Sequence, residues 1–110
     1  PLYGGSSLDI VPMDIRLDIK RLNEHFIAHN VSHTTLPTQV ARMFINEVED
    51  TSLKVLITGG EKLGEVNADL DYSFIDSYEP TECCVAVCAI EECKKIDSSS
   101  IGHLFRNIKA

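Results

Sequence analysis

A single apolar run, residues 53–57, most constrains how this chain can fold. It reads Leu-Lys-Val-Leu-Ile and continues directly into Thr58-Gly59-Gly60-Glu61. A nearly continuous apolar run of this length is typical of a strand covered on both faces, as in a parallel sheet. The Gly-Gly pair that follows predicts either an ordinary strand-to-helix turn or a turn where backbone approaches a flat ligand closely.

Strand and helix patterns alternate on both sides of this run. In chain order, the sequence predicts a strand at 8–11, a helix at 14–30, a strand at 31–36, a helix at 38–48, the strand at 53–57 and a strand at 72–75. Residues 83–90 fit either a strand or a helix. Strands that alternate with helices favour right-handed crossovers, so we expect an α/β fold with a mainly parallel sheet and flanking helices.

Both predicted helices carry an apolar stripe. Apolar residues three or four positions apart share one helix face, and these are Ile15, Ile19, Leu22 and Phe26 in the first helix and Val40, Phe44 and Val48 in the second. Asp14 and Asp18 suit a helix start, where carboxylates complement the positive end of the helix dipole, and Asn30 is a typical stop. The stripes predict which side of each helix packs on the sheet.

The charge balance argues against two classes of partner. The chain has 17 acidic and 10 basic residues, a net charge of −7, so we expect neither a nucleic-acid surface nor an anionic-membrane surface. No apolar run approaches the roughly 20 residues that span a bilayer, and the first residues do not read as a signal peptide. We therefore expect a soluble, cytoplasmic protein.

The cysteines and histidines form no recognisable metal motif. The four cysteines crowd into one stretch without the paired spacing of zinc sites: Cys83, Cys84, Cys88 and Cys93. We expect them to be free, mainly structural thiols. His25 and His29 are four positions apart on a predicted helix, a spacing that suits the edge of a metal site, but solvated surface histidines are our expectation there.

Two polar loops follow predicted strands, residues 58–62 and 76–82. Ligands collect beyond the carboxyl ends of parallel strands, so both loops are expected at the same rim of the sheet. In the second loop, Tyr78 offers a stacking face, Thr81 a hydroxyl and Glu82 a hard oxygen ligand that suits Mg²⁺. These are parts of a nucleotide site, although Pro-Thr-Glu is also a good helix start with threonine as its cap.

Taken together, the two loops resemble the adenylate-forming, AMP-binding enzyme superfamily. Residues 56–63 read Leu-Ile-Thr-Gly-Gly-Glu-Lys-Leu, and residues 77–82 read Ser-Tyr-Glu-Pro-Thr-Glu. The best match is the amino-acid adenylation domain of nonribosomal peptide synthetases, which carries Gly-Gly-Glu and then Asn-x-Tyr-Gly-Pro-Thr-Glu. Residues 1–8, 31–37 and 101–102 are also similar to that family, so the resemblance covers nearly the whole chain.

The resemblance implies a nucleotide site. Gly60, Glu61 and Tyr78 would bracket the adenine of ATP, and Asp76 stands where the family has asparagine beside the adenine amino group. Asp76 exchanges a donor and acceptor for an acceptor alone when ionised. Glu79 replaces the family glycine and adds a negative charge near the phosphates.

The resemblance also implies catalytic and substrate residues. Thr81 would hydrogen-bond the α-phosphate and Glu82 would ligate Mg²⁺, and these are the two catalytic candidates. The amino-acid pocket of the family maps onto Thr35, Ile57, Gly59, Ser77, Val85 and Ala86. These side chains are small or apolar, so a sizeable uncharged substrate side chain is expected.

The implied function is selection of an amino acid and its activation with ATP, as an aminoacyl-adenylate, for loading onto a carrier-protein thiol. Implied partners are the amino acid, the rest of the adenylation domain, a carrier protein with its phosphopantetheine, and condensation domains. The chain has no counterpart of the family's phosphate loop or C-terminal-lobe lysine, so we expect residues 1–110 to be one partial domain, internal to the larger N-terminal lobe and inactive alone.

Two other interpretations of the sequence stay open at this point. One is a piece of an acyl-CoA synthetase or carrier-protein ligase of the same superfamily. The other is a free-standing α/β module that binds a nucleotide or a partner protein.

Overall fold

The computed structural model describes residues 4–61, 63–64, 69–78, 88–92 and 103–104. Within these ranges, the helices and strands in chain order are α1 (Ile19–Ala28), β1 (His33–Thr35), α2 (Thr38–Glu47), β2 (Val55–Gly59), β3 (Ser73–Tyr78), β4 (Cys88–Glu92) and β5 (His103–Leu104). Among the described residues, no helix has the length and apolar content needed to cross a membrane.

The strands form one sheet in the order β1-β2-β3-β4-β5. The first three strands are parallel to one another, with Thr35 paired to Ile57 and Ile57 paired to Ile75. β4 and β5 add antiparallel pairings at the β3 side. The α/β class and the parallel sheet are thus confirmed, and the part of residues 83–90 that the structure describes, from Cys88 onward, is strand.

The core lies between the two helices and one face of the sheet. β2 alternates between buried and half-buried residues, with Leu56 and Thr58 on the buried side. Leu56 joins a buried cluster with Leu22, Phe26 and Phe44 from the helices, and the two phenylalanine rings lie 5.8 Å apart between centroids. Each fully buried side chain of this kind contributes roughly 1.5–3 kcal/mol.

The helix stripes were predicted correctly. All four stripe residues of the first helical pattern are buried, and in the second, Phe44 is buried while Val40 and Val48 pack partly buried against the core. The predicted start at residue 14 was wrong, because α1 begins at Ile19. The Asp18 carboxylate accepts a hydrogen bond from the Arg21 amide at 3.2 Å and so caps the helix, while residues 13–17 form turns. Asn30 follows the helix with φ 52°, a left-handed conformation that asparagine tolerates.

The strand predicted at residues 8–11 does not form. Leu8 and Ile10 are 64% and 82% exposed, and no described strand pairs with them. An apolar run without a partner strand has no ladder to satisfy its backbone, so it stays an irregular segment. The bounds of β2 and β3 also differ from the prediction, because the ladder between them extends to the pair Gly59 and Ser77.

The irregular N-terminal segment (residues 4–18) makes polar contacts with α1 through the carboxylates of Asp9 and Asp14. Asp9 Oδ1 lies 2.6 Å from Nε2 of His25, and Asp9 Oδ2 lies 2.6 Å from Nδ1 of His29. The hydrogen bond with His25 is the largest cause that holds the pKa of the Asp9 carboxyl below its ordinary value. Asp14 adds an exposed ion pair with Arg21 at 2.9 Å.

A buried hydroxyl in β2 offers a test of the packing between strand and helix. Thr58 is fully buried, and its Oγ1 donates to the Leu36 carbonyl oxygen at 2.9 Å. We expect Thr58→Val to lower the free energy of unfolding by about 1–3 kcal/mol, since the valine keeps the shape and leaves a buried carbonyl without its donor. Urea unfolding measures the change.

The matched control is Thr34→Val in the neighbouring strand β1, where the half-buried threonine hydroxyl bonds no described residue. Thr34→Val is expected to change stability by much less. An equal loss in both variants would show that the Thr58 hydroxyl has no special role.

Candidate functional site

The carboxyl ends of β1, β2 and β3 meet at one edge of the sheet. This edge, here called the carboxyl rim, contains Thr35, Gly59, Gly60, Ser77 and Tyr78. The turn after β2 leaves from it and β3 also ends at it, as expected for parallel strands, which end at the same edge. Residues 76–78 of the second predicted loop are strand, and residues 79–82 lie outside the described residues.

Four of the six predicted pocket residues share one face of the sheet. Thr35 of β1 pairs with Ile57 of β2, and Gly59 of β2 pairs with Ser77 of β3. Since side chains alternate along a strand, these four lie on the face opposite to Leu56 and the helices. Ser77 is buried, Ile57 and Gly59 are half-buried, and Thr35 is exposed. The predicted pocket residues Val85 and Ala86 lie outside the described residues.

Three hydroxyl groups hold the backbone beneath the carboxyl rim. Thr58 Oγ1 donates to the Leu36 carbonyl, Thr38 Oγ1 donates to the Gly59 carbonyl at 3.0 Å, and Ser77 Oγ donates to the Thr58 carbonyl at 2.9 Å. The end of β1, the start of α2, β2 and β3 are thereby connected. This arrangement fixes the positions of the rim carbonyls and amides before any ligand arrives.

Sequence reasoning missed the part that two of these hydroxyls play. Thr58 was assigned to the turn and Thr38 only to the start of a helix. For Thr58, the signal that could have found this role is that the threonine directly continues a buried apolar strand, because a buried hydroxyl must find an acceptor. No sequence signal marks Thr38 in this way.

The glycine turn after β2 is set by backbone conformation. Gly60 has φ +93°, which a side-chain-bearing residue rarely adopts, and a Cβ there would meet no atom within 4 Å. The space above Gly60 is therefore open among the described residues. Glu61 is exposed, and its Oε2 accepts a hydrogen bond from the Gln39 amide of α2 at 3.2 Å.

Asp76 lies two residues before Tyr78, the last residue of β3, and on the helix side of the sheet. It pairs with Thr58 and is half-buried, and burial raises the pKa of its carboxyl. The carboxylate and the Ser77 hydroxyl therefore point to opposite faces. Tyr78 ends β3 at the rim. Thr81 and Glu82, the predicted phosphate and Mg²⁺ ligands, lie outside the described residues, as does Glu79.

A separate depression of about 220 Å³ lies at the opposite edge of the sheet, beside the start of β3. Ile45, Val48, Leu70 and Tyr72 contribute to its lining. Burial raises the pKa of Tyr72 to about 12. This depression contains none of the predicted site residues, so the carboxyl rim remains the candidate site.

The proteins that are similar in sequence to this chain include large synthases from Bacillus species. No protein-family model matches the chain. The chain is 41% identical over 105 residues to surfactin synthase subunits 1 and 2 of Bacillus subtilis, and the match covers 96% of the chain and 3% of each subunit. It is 31% identical over 108 residues to bacitracin synthase 1 of Bacillus licheniformis, across 98% of the chain and 2% of that protein.

A solved structure also overlaps with the chain. E. coli MenE with bound OSB-AMS shows 24% sequence identity and a TM-score of 0.44, over 74% of this chain and 18% of that one.

The curated relatives confirm the family indicated by the two loops. The chain spans only about 3% of the length of the surfactin synthase subunits that it matches. Along 96% of its own length, however, it aligns with them at a level of identity that reflects common descent. The chain therefore belongs to the nonribosomal peptide synthetase family, as a segment that corresponds to a small part of each of these large synthetase subunits.

Proposed function

We propose that this segment supplies part of the nucleotide and amino-acid site of an adenylation domain. The complete domain would select an amino acid and activate it with ATP as an aminoacyl-adenylate, which is then loaded onto a carrier-protein thiol. The observation that carries the proposal is the strand register at the carboxyl rim. It brings the Gly-Gly-Glu turn beside Ser77 and Tyr78, and it puts four pocket candidates on one sheet face.

The amino-acid side of the site would be a shallow wall formed by the open sheet face. Ile57 presents half-buried apolar surface, and the Ser77 hydroxyl already donates to the Thr58 carbonyl. None of Thr35, Ile57, Gly59 and Ser77 carries a charge. A substrate side chain on this wall would therefore meet an uncharged surface, which supports an uncharged amino acid as the substrate class.

The nucleotide side would be the turn after β2 together with the end of β3. The open space above Gly60 suits a flat ring that approaches the backbone, and Tyr78 would supply a stacking face. Thr81 and Glu82 follow along the chain and would hold the α-phosphate and Mg²⁺, respectively. When bound, Mg²⁺ would offset the negative charge that spreads over the phosphate oxygens during transfer.

Partners follow from the same proposal. The rest of the adenylation domain would provide the phosphate loop and the lysine, and a carrier protein with its phosphopantetheine would accept the product. Condensation domains would then act on the loaded amino acid, in the cytoplasm. The curated relatives are peptide synthetases, so nothing in the comparisons favours an acyl-CoA synthetase or a free-standing module.

The pocket wall can be tested with Ile57→Ala in the complete adenylation domain. Removing this side chain takes apolar surface away from the substrate, so the KM for the cognate amino acid is expected to rise about tenfold, equivalent to about 1.4 kcal/mol. Amino-acid-dependent pyrophosphate exchange gives the KM.

The matched control for this test is Val55→Ala. Val55 lies on the same strand and the same face, also half-buried, but two residues further from the carboxyl rim. It should lose comparable stability and keep the wild-type KM. If both variants raise the KM equally, the Ile57 side chain does not contact the amino-acid substrate.

The half-buried carboxyl of Asp76 predicts a pH-dependent stability. Burial favours the neutral acid, so the folded state binds the proton more tightly than the unfolded state, whose pKa is about 3.9. The cost of the charge is therefore absent below that pKa and appears as pH rises through the higher folded value. Asp76→Asn is expected to stabilise the fold at pH 7 and to lose this advantage at about pH 3.

Urea unfolding at several pH values measures the effect, with Asp71→Asn as the control at an exposed carboxylate. A stability difference for Asp76→Asn that stays constant from pH 3 to pH 7 would contradict the prediction, because it would then not depend on ionisation.

A further inference from the structure

Two histidines of α1 and one aspartate converge on a single point, away from the carboxyl rim. His25 and His29 lie four positions apart on the helix, with their rings stacked at a centroid distance of 4.1 Å. Asp9 reaches them from the irregular N-terminal segment, and each carboxylate oxygen lies 2.6 Å from one ring nitrogen. One donor atom from each of the three residues can be chosen so that all lie within 4.8 Å of one another.

We propose that Asp9, His25 and His29 bind a divalent transition-metal ion of the Zn²⁺ class. Two imidazole nitrogens and a carboxylate form the mixed N/O donor set that Zn²⁺ accepts, and imidazole ligands disfavour Ca²⁺ and Mg²⁺. Three protein ligands leave one tetrahedral position for water. This site is independent of the adenylation chemistry proposed above.

Access and charge fit such an ion. The His29 side chain is 50% exposed and that of Asp9 is 29% exposed, so an ion can reach the cluster from solvent. The His25 side chain is only 12% exposed and lies on the protein side of the cluster. The ionised carboxylate offsets one of the two positive charges of the ion. Neutral imidazoles supply the other two ligands without further charge.

Coordination requires small adjustments of all three side chains. Tetrahedral ligands at about 2.0–2.1 Å from the ion are separated from each other by roughly 3.3 Å. The carboxylate oxygens now lie 2.6 Å from the ring nitrogens, so Asp9 must recede by less than about 1 Å on binding. It can do so because its segment has no helix or strand in the described residues. The two stacked rings turn about their side-chain bonds so that both ring planes contain the ion, while the histidine backbones stay on α1.

A bound ion would cross-link the irregular N-terminal segment to α1. Without an ion, the Asp9 carboxylate contacts α1 through two hydrogen bonds, which are easily exchanged with water. A bound ion replaces them with coordination bonds from two separate parts of the chain. Binding to the folded state alone then raises its stability with the logarithm of the free ion concentration, once that concentration exceeds the dissociation constant.

The test is titration of Zn²⁺ into the 110-residue chain by calorimetry, with His29→Gln and Asp9→Asn as variants. One ion per chain is expected for the wild type, and at least a tenfold weaker affinity for either variant. The control is His33→Gln, which removes an exposed histidine whose Nδ1 contacts Ser32 outside the cluster, and it should keep the wild-type affinity. Equal Zn²⁺ affinity in all four proteins would overturn the proposal.

The four cysteines are the competing source of Zn²⁺ ligands, and Co²⁺ distinguishes them. Binding at the cluster gives d–d absorption without thiolate charge-transfer bands, and this absorption disappears in His29→Gln. Thiolate charge transfer that persists in the variants would place the ion on cysteine and refute the site. The melting temperature of each protein is measured without metal and again with Zn²⁺. Zn²⁺ should raise the melting temperature of the wild type and of His33→Gln only.

Discussion

The parallel pairing of β2 with β1 and β3 is the constraint on which the other features depend. It buries Leu56 and Phe74 under the helices on one side. On the other side it leaves a half-buried face with Ile57 and Ile75. Because parallel strands run in one direction, the same pairing also puts the ends of all three strands at one rim. The same strand pairing therefore determines both where the core lies and where the candidate site lies.

Buried hydroxyl groups couple the core to the rim. Thr58 is inside the core by its position on β2, yet its hydroxyl reaches the Leu36 carbonyl just after β1. Thr38 and Ser77 continue the connection to the carbonyls of Gly59 and Thr58. Bonds of this kind are modest in net energy but costly to break when one partner stays buried. They keep the rim backbone in place, which a site that recognises a flat ring through backbone approach requires.

The irregular N-terminal segment is held in place without strand pairing. It has no ladder and exposes Leu8 and Ile10, so its position relative to α1 rests on the buried Ile15, on the partly buried Val11 and on polar contacts of Asp9 and Asp14. The stacked histidines that meet Asp9 are pre-organised because both belong to one helix. A cluster that joins a helix to an irregular segment can respond to an added ion by a small shift of the segment and a rotation of the two rings.

Periodicity and loop motifs were sufficient to predict much of this molecule. The apolar stripes of both helices, the strand that became β2 and the rim at which β2 and β3 both end were all predicted correctly from local patterns. Such patterns work because a helix face or a strand direction is determined by neighbouring residues in the chain. The family resemblance rested on the same short motifs, Gly-Gly-Glu and Tyr-Glu-Pro-Thr-Glu, and the curated relatives confirmed it.

Only the tertiary structure decided which strand candidates found partners and where their ladders end. Residues 8–11 had a strand pattern but no neighbour, whereas β2 and β3 extend to Gly59 and Tyr78 because each pairs with the next strand. The contacts of Asp9 with His25 and His29 span 16 and 20 positions, and the hydroxyl of Thr58 finds its acceptor 22 positions away. Sequence spacing determined which residues share a face; packing determined which faces meet, because that depends on contacts between residues far apart in the chain.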